Sequence, residues 1–174
     1  APLARGPLAI LRVELQGLEH TRSLLGNRRA EELLGLCAER LRRLVDASRL
    51  GPPPGSHLVG RVSDAVFAVI RDDLSDAPDL KGFADYLHER VAGSYTLGDY
   101  EISVTARLGV AVEEKPGGAD AAQLFDRAEM AIGQAQGAPA FYSSRTSDQR
   151  RERARLVREL QIAVSNGDLH LEYQ

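Results

Sequence analysis

The stretch Tyr100–Val112 (YEISVTARLGVAV) constrains the fold most, because Ile102, Val104, Ala106, Leu108, Val110 and Val112 fall at every second position. Side chains along a strand alternate between its faces, so one face of a long strand is apolar here and has to be covered. Just upstream, Tyr95–Leu97 and the pair Gly98-Asp99 complete a hairpin, since Gly-Asp suits a mirror-image two-residue turn. Such a hairpin commits the chain to an antiparallel sheet with something packed on it.

A second hairpin is predicted over His57–Asp72 (HLVGRVSDAVFAVIRD). Its apolar runs Leu58–Val62 and Val66–Ile70 read as a buried strand pair, separated by Ser63, Asp64 and Ala65. The short tip lies where that pair meets solvent, a place suited to chemistry. Leu8–Leu15 has the character of a central strand, and Pro139–Ser143 that of a last, edge-type strand.

Helical spacing fills the intervals. Gly17–Leu25 is predicted as a short helix stopped by Gly26-Asn27. Leu33, Cys37, Leu41 and Leu44 mark one side of a helix over Arg28–Leu44, and Leu80, Phe83, Leu87 and Val91 mark a third helix. Asp120 and Gln123 have the spacing of a capping box opening a helix over 121–135. The segments 51–56 and 116–118, rich in Pro and Gly, are read as loops. The order β-α-α-β-β-α-β-β-α-β implies an α/β sandwich with helices covering a mostly antiparallel sheet.

Composition narrows the function classes. At 174 residues, 43% apolar and 27% charged, the chain suits one globular domain plus a tail. A net charge of −3, with basic residues spread along the chain, gives no nucleic-acid footprint. No apolar run approaches the roughly 18 residues of a membrane helix, and Ala1–Gly6 has no signal-peptide character, so no membrane contact and a cytoplasmic setting are expected. Cys37, the single cysteine, reads as a small buried hydrophobe. The four histidines lack metal-ligand spacing, and no metal site is expected.

The run Arg61-Val62-Ser63-Asp64-Ala65-Val66-Phe67-Ala68-Val69-Ile70 resembles the central hairpin of GGDEF domains, the diguanylate cyclases that make cyclic di-GMP from GTP. The family pattern is Arg, an apolar residue, Gly-Gly-Asp-Glu-Phe and an apolar strand. Ser63 and Asp64 stand at the glycines, Ala65 and Val66 at the two acids, and Phe67 is kept. The resemblance runs from residue 8 to about 142 and implies the family's sheet, which is similar to nucleotide cyclases and polymerase palms. The first-strand metal ligand is matched by Glu14, and the second Asp, then Gly or His, Phe and Lys, by Gln16, Gly17, Leu18 and Glu19. Arg22 matches the guanine-reading Asn, and Gly26-Asn27 the Gly-His pair. Glu31 matches the second guanine contact, Arg107–Ala111 the strand motif Ser-x-Gly-x-Ala, and Gln136 the phosphate-binding Lys. The Arg-x-x-Asp product site falls on Pro54 and His57 and is absent.

On that resemblance the signature Ser63, Asp64, Ala65, Val66, Phe67 is degenerate. Glu14, Arg22, Glu31 and Gln136 are vestigial nucleotide-binding positions, and no residue is assigned a catalytic role. Joining two GTP molecules needs Mg²⁺ to neutralise phosphate charge, and Mg²⁺ needs oxygen ligands at about 2.1 Å. Val66 and Ala65 offer none, and Gln16 adds no anion. Glu19 puts a negative charge where a phosphate needs a cation. A side chain at the tip also blocks the close phosphate approach that glycine allows. Asp64 adds a charge that repels a triphosphate, although a turn accounts for an Asp there by itself. Arg22 carries only donors and cannot copy the mixed edge of Asn, whereas Glu31 can still accept from guanine. Mg²⁺ and GTP binding are therefore expected to be lost or weak. For Glu14 the reading is a strand-end charge reaching solvent, with residual metal ligation as the alternative.

The tail differs in kind. Residues 148–165 are rich in Arg and Glu with a narrow stripe of Leu156, Val157, Leu160 and Val164, and Asn166-Gly167 precedes the alternating Asp168–Gln174. This arrangement resembles the entry to an EAL domain, the cyclic di-GMP phosphodiesterase or receptor fold. The expected division is a degenerate GGDEF domain over 1–146, then a connector helix and first EAL strand over 147–174, as in FimX- or LapD-like proteins. The resemblance implies an inactive domain that modulates or positions an adjacent EAL domain in the same chain, with cyclic di-GMP bound through that domain only. A GTP-binding sensor is the alternative, and a homodimer through the tail stripe the alternative to a connector.

Overall fold

The sheet is built around strand β1 (Leu8–Gln16), followed by helices α1 (Leu18–Leu25) and α2 (Asn27–Ala47). The first hairpin is β2 (His57–Ser63) and β3 (Val66–Arg71); α3 (Ala77–Val91) leads to the second, β4 (Gly93–Leu97) and β5 (Tyr100–Glu113). Helix α4 (Ala121–Ile132) and the short β6 (Ala140–Phe141) follow. This computed structural model describes residues 8–47, 57–71, 77–113, 120–135 and 137–143. The loop expected over 51–56, that over 116–118, Gln136 and the tail from 147 lie outside the described residues.

Element order agrees with the sequence reading, and the fold is a mixed α/β sandwich. The strands run β2-β3-β1-β5-β4, every neighbouring pair antiparallel, with β6 joining β5 in parallel. One face of the sheet, carrying Ala9, Leu11, Val13, Phe67, Val69, Val104, Leu108 and Val110, packs under the apolar stripes of α1, α2 and α3. The opposite face, at Ile10 and Ala111, takes Leu124 and Ala128 of α4. β1 is thus covered on both sides, which is why its run is almost continuously apolar. Cys37 is buried in the larger core, and burial pushes its thiol pKa up, which suppresses the reactive thiolate.

Gly109 sets how closely α4 approaches. A Cβ on it would lie 2.1 Å from the Ala128 carbonyl oxygen and 2.8 Å from the Ile132 backbone nitrogen, so helix backbone rests directly on strand backbone. In the second hairpin only Gly98 of the turn pair has positive φ (64°), the pattern of a type II′ turn.

Four local expectations need correction. The first hairpin is not a buried pair: β2 is the edge strand, α2 lies against only the side of it that carries Val59, and Leu58 and Val62 are 63% and 49% exposed. Gly26 does end α1, with its N–H donating to the Arg22 carbonyl, but Asn27 begins α2 instead of extending the stop. Asp120 occupies the N-cap position of α4 without a side-chain capping bond, so the capping box does not form. The helix ends at Ile132, not 135: past Gly133, a weak helix former, the Gln134 and Ala135 N–H groups donate to the Ala131 and Ile132 carbonyls in tighter turns, and Arg107 donates to the Ile132 carbonyl as well.

Candidate functional site

The end of β1, the tip of the first hairpin and the opening turns of α1 and α2 meet at one margin of the sheet. Register places Glu14 beside Val66, and the Leu15 N–H donates to the Ala65 carbonyl at 2.9 Å, tying the tip to β1. Ser63 pairs with Val66 to close the turn, and a register shift between Arg61 and Ser63 leaves Val62 bulged. Asp64 and Ala65 form the turn itself with negative φ, so no glycine is required there. Phe67 and Val66 are buried and Ala65 is partly buried against the larger core; Ser63 and Asp64 face solvent. On the far side of β1, Gly17 (φ 99°) turns the chain into α1.

Three of the sequence-predicted positions are brought together by ion pairs. Arg22 Nη2, on α1, lies 2.8 and 2.7 Å from the two carboxylate oxygens of Asp64, and Nη1 lies 3.2 Å from Glu19. Arg61 Nη1 and Nη2 donate to both oxygens of Glu31 on α2, at 2.9 and 3.2 Å. Arg61 also reaches Asp64 at 3.3 Å and the Ser63 carbonyl at 3.2 Å. The Asp64 hydrogen bond raises Arg22 above its usual pKa, and the Glu31 bond does the same for Arg61; Arg61 in turn holds Glu31 below the usual carboxylate range. Asp64 is therefore no unopposed charge, and the acceptor oxygens of Glu31 are already engaged.

Glu14 stands apart. Alternation along β1 turns it to the α4 side, where Arg107 lies 4.0 Å away and both side chains are one-third exposed. Arg107 also donates to the Ile132 carbonyl. Among the described residues no three His, Cys, Asp or Glu side chains converge as a metal site. His57 pairs with Asp46 at 2.9 Å, while its expected companion Pro54 lies outside the described residues, as does Gln136. Beside the ion pairs, a cavity of about 320 Å³ opens between α2 and β2, with Leu34, Val59 and Phe67 as apolar walls and Glu31 and Arg61 at its polar side.

Sequence reasoning placed Arg61 only as the arginine that opens the family pattern and did not foresee its bond to Glu31, 30 residues away. The one local signal was the Arg61-x-x-Asp64 spacing across a short turn. It also missed Arg107 as the link between Glu14 and α4.

A family model described as "Diguanylate cyclase, GGDEF domain" matches residues 3–140. No curated protein matches the chain. Among solved structures, the chain resembles an EAL/GGDEF domain protein from M. capsulatus at 21% identity and TM-score 0.67, covering 82% of this chain and 90% of that one. The GGDEF domain of YfiN (TpbB) from Pseudomonas aeruginosa is 26% identical with TM-score 0.66, over 80% and 84% of the two chains. That of FimX, also from Pseudomonas aeruginosa, is 20% identical with TM-score 0.64, over 79% and 82%. With four-fifths of its length covered by that family model and a sheet of the same build, the chain belongs to the GGDEF family of diguanylate cyclase-type domains.

Proposed function

We propose that this GGDEF domain is catalytically inactive and serves cyclic di-GMP signalling as a regulatory or scaffold domain, modulating or positioning an adjacent EAL domain. The observation that carries the reading is the pairing of Glu14 with Val66 at the tip. A carboxylate whose strand neighbour is a valine leaves a divalent cation one protein anion, and that anion already faces Arg107. Charge on two triphosphates then goes unneutralised, and the loss of such stabilisation costs orders of magnitude in rate. The signature Ser63-Asp64-Ala65-Val66-Phe67 is degenerate in this reading, Glu14, Arg22, Glu31 and Gln136 are relics of a nucleotide site, and Mg²⁺ and GTP bind weakly or not at all.

The division is a GGDEF-like domain over 1–146 and an EAL entry over 147–174, supported by the likeness of the tail sequence and by the EAL/GGDEF composition of the M. capsulatus protein. Cyclic di-GMP is bound by the EAL domain only, and no helix among the described residues is long and apolar enough to cross a membrane. The setting of this segment is cytoplasmic. Incubation of the purified chain with GTP and Mg²⁺ or Mn²⁺ is expected to yield no cyclic di-GMP above a protein-free control; product above that level overturns the reading. The cavity beside Glu31 favours one second reading, a GTP-binding sensor that activates the EAL partner. Calorimetry separates the two, since absence of heat at millimolar GTP removes the sensor.

A further inference from the structure

Five charged side chains form one continuous chain around the hairpin tip: Glu19, Arg22, Asp64, Arg61 and Glu31, each within 3.3 Å of the next. They belong to α1, β2, α2 and the turn, so the chain of charges crosses between elements that are remote in sequence. Asp64 is its midpoint and the single member that contacts both arginines. Three carboxylates against two guanidiniums give alternating signs along the whole row, so each internal member is flanked by opposite charge.

We propose that Asp64 is the pin of a charge-controlled latch. Gripped by Arg22 of α1 and by Arg61, which Glu31 of α2 holds in place, its carboxylate closes the tip of the first hairpin onto both helices, and ionic strength sets how often the tip opens. The inference stands on side-chain geometry alone and holds whichever way the cyclase question falls. Its carboxylates are solvent-exposed, with Glu19 at 89%, Asp64 at 53% and Glu31 at 55% side-chain exposure, and Arg22 is partly covered, so salt reaches and screens the row from its acidic side. An exposed pair contributes little alone; a bidentate pair coupled to two further contacts loses its members together. Opening frees the cavity side at Glu31 and Arg61, which gives the domain a two-state element that needs no nucleotide.

The Leu15 amide reports on the latch, because it donates to Ala65 at the tip. Hydrogen exchange is measured residue by residue by NMR on the full chain, with Leu11 in the middle of β1 as control. In the native chain, Leu15 exchange is expected to accelerate about fivefold between low salt and about 1 M salt. Asp64→Asn, which keeps the shape and removes the charge, is expected to be fast at low salt and indifferent to more; Asp64→Glu is expected to restore slow, salt-dependent exchange. Arg22→Ala is expected to match Asp64→Asn, and the double variant to be no faster than either. Equal Leu15 rates in the native chain and Asp64→Asn at low salt overturn the latch. So does a native rate indifferent to salt, or an equal acceleration at Leu11, which reports global unfolding instead.

Discussion

Glu31 accepts twice from Arg61, which lowers its pKa. A depressed carboxylate adds stability that is present above its unfolded-state value and is lost as pH falls through the lowered folded value. Glu31→Gln is therefore expected to be less stable than the native chain at neutral pH, with the gap closing below about pH 4. Urea unfolding at a series of pH values checks this, and a pH-independent gap contradicts it. At Gly109 the contact is with helix backbone, which cannot swing aside. Gly109→Ala is expected to cost about 3 kcal/mol and lower Tm by roughly 10 °C, whereas Ala at Gly35 or Gly60, which have open space, is not. Thermal unfolding followed by circular dichroism distinguishes the positions.

Among elements, the two strands of the first hairpin look alike in sequence and behave differently. Leu58 on β2, which pairs with Ile70, is 63% exposed, whereas Val69 on β3, which pairs with Val59 and faces the larger core, is fully buried. Val69→Ala is expected to cost about 2 kcal/mol and Leu58→Ala under about 0.5 kcal/mol, both read from denaturant midpoints; similar costs at the two positions contradict the edge assignment. Periodicity told which segments were strands, because a period of two is written into Tyr100–Val112 itself. It did not tell that Leu58–Val62 lies at the rim, since coverage depends on where α4 comes to rest, and that is a property of Gly109 and of chain path. The same limit applied at Asp120, whose spacing to Gln123 was right for a cap although no side-chain bond formed. The family likeness named candidate positions one at a time. Their partners were not legible, because Arg22 and Asp64 are 42 residues apart and an ion pair across that separation leaves no trace in local pattern.

At the scale of the molecule, the unit Ala1–Tyr142 holds both apolar clusters within itself. A chain ending at Ser143 is expected to fold alone and to unfold in one cooperative urea transition seen identically by circular dichroism and by intrinsic tyrosine fluorescence. Non-coincident transitions contradict this. The β1–β5 pairing at the centre joins the first and the last thirds of that unit, so its halves are not separable modules. One guanidinium in that centre, on Arg107, holds the closing carbonyl of α4 with one hand and faces the acid at the end of β1 with the other. The end of α4 and the end of β1 are thereby joined through one side chain, a link across the sheet that does not depend on a nucleotide being bound.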